Sequence, residues 1–424
     1  MTKKYLSLFI IILLFGNPVS SQPMEYDPDL WLPDTVFVAL GNTIELYNNN
    51  VAFIRLNDGS LSFTWTHEKG YSDSEKFYWT ANQPGNVKLK ITCFHLGERV
   101  DSASTILKVV NKTDIVSKNL LSLGNSLTAG GYQYQIPQIL TDLNFVVNAI
   151  GTQGTTYKHE GYPGWFFQTF LGTSSPFYIL NTINFKEYIE NNNLQNPDII
   201  RISLGINDCF GTTPIDNITE NATKLIDTIS RDYPNSLIII ALPTLCESTG
   251  SGWIASYGDL SNFEPYILRV RELWKRLYNK YSFGKYKTNI QVSCDGLAID
   301  RENGYPSDNG IHPNATGHSQ LIRGFSNTLN YYANKFFTDI NDTVFNDNPF
   351  KIFPNPLSDN FEISFTNAYP EKINIFNGSG QLVLTQEVTD DRVIINTNNL
   401  APGFYICNMK IGNRYYSQKI LKLR

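Results

Sequence analysis

The stretch "LLSLGNSLTAGG" (residues 120–131) changes grammar in the middle. Leu120 to Leu123 reads as a strand covered on both faces, and Gly124, Asn125 and Ser126 break it with small polar residues before a helical pattern begins. A strand that stops this way presents a hydroxyl, and the backbone N–H beside it, at the end of a buried sheet. The same grammar recurs downstream in "FVVNAIG" (145–151), "DIIRISLG" (198–205), "SLIIIALPT" (236–244) and "IQVSCDG" (290–296). Between these runs lie helical patterns such as "NITENATKLIDTISRDYP" (217–234) and "PYILRVRELWKRLYNKY" (265–281), the latter with apolar residues at three and four spacing. Short apolar strands alternating with helices predict a parallel sheet covered on both faces over residues 115–336. Ligands of such sheets sit at the carboxyl ends of the strands.

The flanking regions read differently. Residues 24–112 alternate in the manner of strands: "DTVFVAL", "NTIELY", "AFIRL", "SLSFTW", "NVKLKITCF" and "STILKVV", separated by turn residues. The pattern predicts a small β-sandwich resembling immunoglobulin-like modules, with Trp31, Trp65 and Trp79 either in its core or on a binding face. A polar linker (337–348) leads to residues 349–424, which predict six or seven further strands. Residues 1–21 combine two lysines, an apolar run from Leu6 to Phe15 and small residues at Val19 to Ser21, the plan of a secretory signal peptide. That run is too short to span a bilayer, so no stable membrane insertion is expected.

Composition bounds the function. The chain has 424 residues, 42% of them apolar and 17% charged, with a net charge of −5. It has the profile of a folded multidomain protein without the basic field a nucleic-acid partner requires. The five cysteines show no metal-ligand spacing. Cys209, Cys246 and Cys294 are open to one disulfide or to service as small buried hydrophobes. Phosphate-loop, zinc-protease and G-x-S-x-G patterns are missing, and neither cofactor nor metal is expected.

Four blocks stand at predicted strand ends: "GNSLT" (124–128), "KHEGYPGW" (158–165), "GIND" (205–208) and "SDNGIHPN" (307–314). Their order and placement resemble the SGNH, or GDSL, hydrolases. The resemblance implies a three-layer α/β/α sandwich of flavodoxin-like type, flanked here by all-β domains, and esterase or lipase activity. Ser126 stands where a nucleophile would, and Asn125 replaces the Asp usual in that block. His312, before Pro313, suits a general base at a helix rim. His318 lies off that face and reads as structural. Oxyanion donors would be the N–H of Ser126, the Asn207 amide and a glycine N–H, Gly164 in preference to Gly161. His159, Gly161 and Trp165 are candidates for contact with substrate.

The family's Asp three residues before the histidine is Asn309 here, and Asp308 stands four before it. Asp308 leads as the group orienting His312, with the Asn309 side chain or a backbone carbonyl as alternatives.

The loop "HEGYPGWFF" resembles that of carbohydrate acetylesterases in the family, which implies acetylated polysaccharide as substrate. A lipid ester, a thioester, or glycan binding without catalysis are the other readings. Residues 349–424 resemble the C-terminal sorting domain of the type IX secretion system through "FPNP" (353–356), "INIFNGSGQLV" (373–383), "LAPGFYIC" (400–407) and "KILKLR" (419–424). That resemblance implies the type IX machinery as partner and a secreted or surface-attached product.

Overall fold

The computed structural model describes residues 27–113, 115–143, 145–338, 350–365, 369–411 and 414–423, so the signal-peptide reading and most of the linker lie outside the described residues. The described residues up to Thr338 pack as one compact unit, and those from Phe350 as a second.

The centre of the first unit is a parallel sheet. Strand Ile115–Gly124 pairs on one side with Phe145–Ile150 and Glu160–Gly161, and on the other with Ile199–Ser203, followed by Leu237–Ala241 and Ile290–Ser293. Numbered along the chain without the short Glu160–Gly161 pair, the order is 2-1-3-4-5. It reverses between Ile115–Gly124 and Ile199–Ser203, and in open parallel sheets that reversal opens a crevice at the strand ends. Helices Ser126–Asp142 and Ala315–Thr338 contact each other, and Ile215–Asp232 packs with Phe263–Tyr281. The strands are apolar because both faces are covered: Leu237 to Ala241 are all buried.

The amino-terminal strands form two sheets. One runs Thr35–Ala39, Glu98–Val110, Gly85–His95, Leu61–His67, and the other Thr43–Tyr47, Lys76–Thr80, Tyr71–Ser72. The run "AFIRL" (52–56) is not a strand, contrary to its alternating pattern. It follows the short helix Asn48–Val51, which docks on the α/β sheet domain instead of pairing. The Asn50 amide donates to the carbonyls of Leu297 and Ile299 (3.1 and 2.7 Å), while the buried Arg271 donates to those of Asn50 and Val51 (2.5 and 3.0 Å) and to Asp29 Oδ2 (2.7 Å). Phe37 stacks on Tyr331 at 4.0 Å, and Trp31 sits 6.0 Å from Trp274. Trp65 and Trp79 are buried, and Trp31 is half-buried against Trp274 and Tyr278, so the three share no exposed face. Apolar side chains here serve contact between layers, and local alternation does not distinguish that from strand pairing.

All five cysteines are free, and Cys93, Cys209, Cys246 and Cys407 are buried. The described residues of the second unit form seven strands in two sheets, Phe350–Phe353, Asn360–Phe365 and Arg392–Asn396 in one, Leu382–Glu387, Lys372–Asn377, Gly403–Ile411 and Arg414–Lys422 in the other. Phe361, Ile363, Ile373, Ile375, Ile395 and Cys407 fill its core. Among the described residues no helix is long and apolar enough to cross a membrane.

Candidate active site

The turn after the first central strand is built around close approach. A Cβ on Gly124 would lie 2.0 Å from Thr128 Oγ1 and 2.9 Å from the Ser203 carbonyl, so only glycine fits. Asn125, 1% exposed, caps the helix Ser126–Asp142: its Oδ1 accepts from Leu127 N at 3.0 Å. Ser126 is thus the first helical residue, and the N–H groups of a helix's first turn have no partner within the helix. Its half-buried Oγ lies 2.9 Å from His312 Nε2.

What stands behind His312 corrects the expectation for Asp308. Asp308 is exposed, and its carbonyl, not its carboxylate, is engaged, by Ser256 Oγ at 3.5 Å. Asn309 Oδ1 instead accepts from Ile311 N (3.0 Å) and His312 N (2.8 Å) and lies 3.2 Å from His312 Nδ1. The two backbone donors fix which end of the amide faces inward, because an NH2 group there would meet two N–H groups. With an acceptor opposite Nδ1, the ring carries its proton on that nitrogen and turns the Nε2 lone pair to Ser126. An amide is thereby able to select the tautomer a general base requires. Asp308 fails because the Asx-type turn closing on 311 and 312 is made by residue 309.

Burial holds the His312 pKa below the usual histidine value, and among the described residues no carboxylate opposes that effect at the ring. His318 is structural: it stacks on Tyr134 at 5.8 Å, its ring fills the space a Cβ on Gly131 would take, and burial beside Arg201 lowers its pKa to about 4.

Among the candidate oxyanion donors, Asn207 begins one turn after the third strand, in helix Ile206–Phe210, and its Nδ2 donates to the Trp165 carbonyl at 2.9 Å. That bond uses one of two amide hydrogens and leaves the other to a ligand. It also sets Asn207 against the segment containing Gly164, which is exposed, has φ +79°, and faces open space where a Cβ would be. Gly161 does not compete. It is buried, pairs with Gly124, and its N–H is spent on His159 Nδ1 at 3.0 Å. His159, expected with Gly161 at the substrate, is 5% exposed, and its imidazole closes its own loop by accepting from Gly161 N. Trp165 remains half-buried, with one face on Tyr162 at 4.2 Å, and the adjacent Phe166 is 43% exposed.

Two acids that sequence reasoning passed over secure this loop. Asp208 Oδ1 accepts from Phe167 N at 3.2 Å, so Asn207 and Asp208 clip the loop at residues 165 and 167. The carboxyl is buried, which pushes its pKa up to about 6, and Oδ2 has no hydrogen-bond partner. Glu160, fully buried, accepts from Thr152 N and from the Tyr162 hydroxyl, both at 2.6 Å. Both acids lie inside the quoted blocks, but Glu160 stands between His159 and Gly161 and Asp208 between Asn207 and Cys209, so no apolar flank marked either as buried. No group of three or more His, Cys, Asp or Glu side chains among the described residues is placed to hold a metal ion.

Comparison with known proteins agrees with this architecture. Residues 122–320 match the GDSL-like lipase/acylhydrolase family, and residues 351–423 the secretion system C-terminal sorting domain. An ulvan lyase, NLR42 of Nonlabens ulvanivorans, is 36% identical over 72 residues, which amount to 16% of this chain and only 14% of that protein. Solved structures that resemble the chain include a carbohydrate esterase family 3 from Talaromyces cellulolyticus (17% identity, 51% of this chain, 99% of that one, TM-score 0.33). Others are a lipolytic G-D-S-L family member from Veillonella parvula (16%, 49%, 94%, 0.30) and the esterase EstA from Pseudoalteromonas sp. (14%, 51%, 99%, 0.33). At these identities and scores the fold assignment rests on the strand order and on the family match.

Proposed function

We propose, for a chain whose residues 122–320 form a GDSL-like lipase/acylhydrolase domain and whose residues 351–423 form a secretion-system sorting domain, that it is an exported serine esterase removing acetyl groups from polysaccharide. The observation that carries the reading is the Ser126 Oγ to His312 Nε2 approach of 2.9 Å, with Asn309 Oδ1 opposite the other ring nitrogen.

Ser126 Oγ attacks the ester carbonyl as His312 Nε2 takes its proton, giving a tetrahedral oxyanion and an imidazolium. The N–H groups of Ser126 and Gly164 and the free amide hydrogen of Asn207 stabilise that oxyanion, each donor contributing about 10²–10³ in rate. His312 returns the proton to the leaving alcohol, an acyl-enzyme remains, and water activated by the same base releases the acid. Asn309 keeps the imidazole in its working tautomer throughout.

The glycan assignment rests on the aromatic rim at Trp165 and Phe166 and on the sorting domain, which implies delivery by the type IX secretion machinery to the cell surface or beyond. Acetate release from acetylated xylan, compared with fatty-acid release from a lysophospholipid, tests it. Faster turnover of the lipid would replace acetylated glycan by lipid as the substrate.

A further inference from the structure

The connection from strand Leu237–Ala241 to helix Phe263–Tyr281 contains the short helix Ser251–Tyr257, which the four blocks do not include. Glu247 anchors it. The carboxylate accepts from Thr249 N (2.6 Å), Gly250 N (3.0 Å) and Trp253 N (3.1 Å), and Glu247 N donates to the Gly310 carbonyl at 2.8 Å. A Cβ on Gly252 would lie 3.0 Å from Gly310 N and 3.1 Å from the Asn309 carbonyl carbon, so this helix rests directly on the backbone that carries Asn309 and His312.

Its other contact is with the oxyanion side of the site. Phe210 lies three residues after Asn207 on helix Ile206–Phe210, hence on the same face. Its ring packs against Trp253 at 5.6 Å and Tyr257 at 5.3 Å, and Trp253 in turn holds Tyr257 at 4.7 Å. Trp253 is buried, yet Tyr257 is 46% exposed. Aromatic side chains therefore run from Phe166 and Trp165, past Asn207, to Phe210 and Tyr257, and Ser256, the neighbour of Tyr257, meets the His312 loop at the Asp308 carbonyl.

We propose that Tyr257, braced by Phe210 and Trp253, is a stacking subsite for a pyranose ring of the substrate chain, next to the ring whose O-acetyl group reaches Ser126. The inference rests on the esterase reading above and extends it to a second residue of the glycan. A fixed, half-open tyrosine ring suits the C–H face of a sugar, offering flat apolar area with a hydroxyl at its edge and little side-chain entropy to lose. An acyl chain draws its binding energy from enclosure, and an open ring encloses little of it. The subsite also gives the Ser251–Tyr257 helix a reason to be seated on the histidine loop, since a glycan held there is in register with the nucleophile.

The test compares wild type, Tyr257→Ala and Tyr257→Trp by kcat/KM for acetate release from acetylated xylo-oligosaccharides, p-nitrophenyl acetate and p-nitrophenyl decanoate. The expected result is a fall of roughly tenfold in the oligosaccharide-to-p-nitrophenyl-acetate ratio for Tyr257→Ala, mostly through KM, with the ratio largely restored in Tyr257→Trp. An unchanged ratio in Tyr257→Ala overturns the subsite, as does an equal loss on all three esters, which would mark a support for His312, or a loss confined to the decanoate, which would mark an acyl site. Wild type that hydrolyses the small ester but releases no acetate from the oligosaccharide overturns the glycan reading itself. That outcome is separable, because the subsite fails alone only when wild type is active on the oligosaccharide.

Discussion

Replacing Asn309 by aspartate changes one group behind His312 and leaves its shape. The side-chain oxygen lies 3.2 Å from His312 Nδ1 and accepts from two backbone N–H groups; a carboxylate in the same rotamer keeps those contacts and adds a negative charge. Two unit charges about 4 Å apart interact by about 1 kcal/mol in water and about 4 kcal/mol at an effective dielectric of 20. Residues 309 and 312 are both half-buried, so about 1–3 kcal/mol is expected, or about one to two pKa units.

The sign follows from the chemistry. The base must be neutral, so kcat/KM rises with pH through the His312 pKa, which burial holds below the ordinary value. Wild type should thus stay active into mildly acidic solution, and Asn309→Asp should move the acid limb up by about one to two units. The plateau rate should rise or hold, since the charge also stabilises the imidazolium formed in the transition state. The assay is the pH profile of kcat/KM for p-nitrophenyl acetate. Superimposable profiles would refute the placement of Asn309 at the ring, and a wild-type acid limb above pH 7 would mean that a carboxylate already stands there.

Two further perturbations separate neighbouring residues. Asn309→Ala removes the acceptor opposite Nδ1 and should cost kcat up to the roughly 10⁴ that follows from losing the tautomer in a serine protease, whereas Asp308→Ala should cost less than about threefold; steady-state kinetics on one small ester decide between them. Asp208→Asn should gain stability relative to wild type as pH rises from 4 to 8. The Asp208 carboxyl has its folded pKa raised from 3.8 to about 6, so wild type loses stability as pH climbs between those values, by about 2–3 kcal/mol in all, and stays at that lower level above them, whereas the amide has no such loss. Urea midpoints at the two pH values measure it, and a constant difference between the proteins would contradict the raised pKa.

The sheet and the four blocks were legible in the sequence because two-sided burial makes each central strand a continuous apolar run, and because chemistry at strand ends interrupts that run abruptly. Ser126 and Asn207 stand at such interruptions, whereas His312 lies well past strand Ile290–Ser293, just ahead of helix Ala315–Thr338. The orienting group was not legible. Whether residue 308 or 309 meets the imidazole depends on which side chain closes the turn on residues 311 and 312, a matter of one backbone rotation with no periodic signature. Which of the two glycine N–H groups is engaged was equally local: an imidazole takes that of Gly161, and Gly164 is the donor proposed above. The helix Asn48–Val51 misled for another reason: its apolar neighbours pack against a different layer of the same unit, and alternation looks alike in both cases. Asp208 and Glu160 escaped notice because their function is to hold a loop, and a single buried acid has no pattern to recognise.

The central claim is that Ser126 is the nucleophile of an ester hydrolase. Hydrolysis of p-nitrophenyl acetate by the purified chain and by Ser126→Ala, at equal concentration and with folding checked by circular dichroism, tests it most directly. Wild type should turn over steadily and the variant should lose at least about 10³-fold, with any remainder coming from the oxyanion donors and binding. Equal rates in the two proteins, whether both substantial or both negligible, would contradict it.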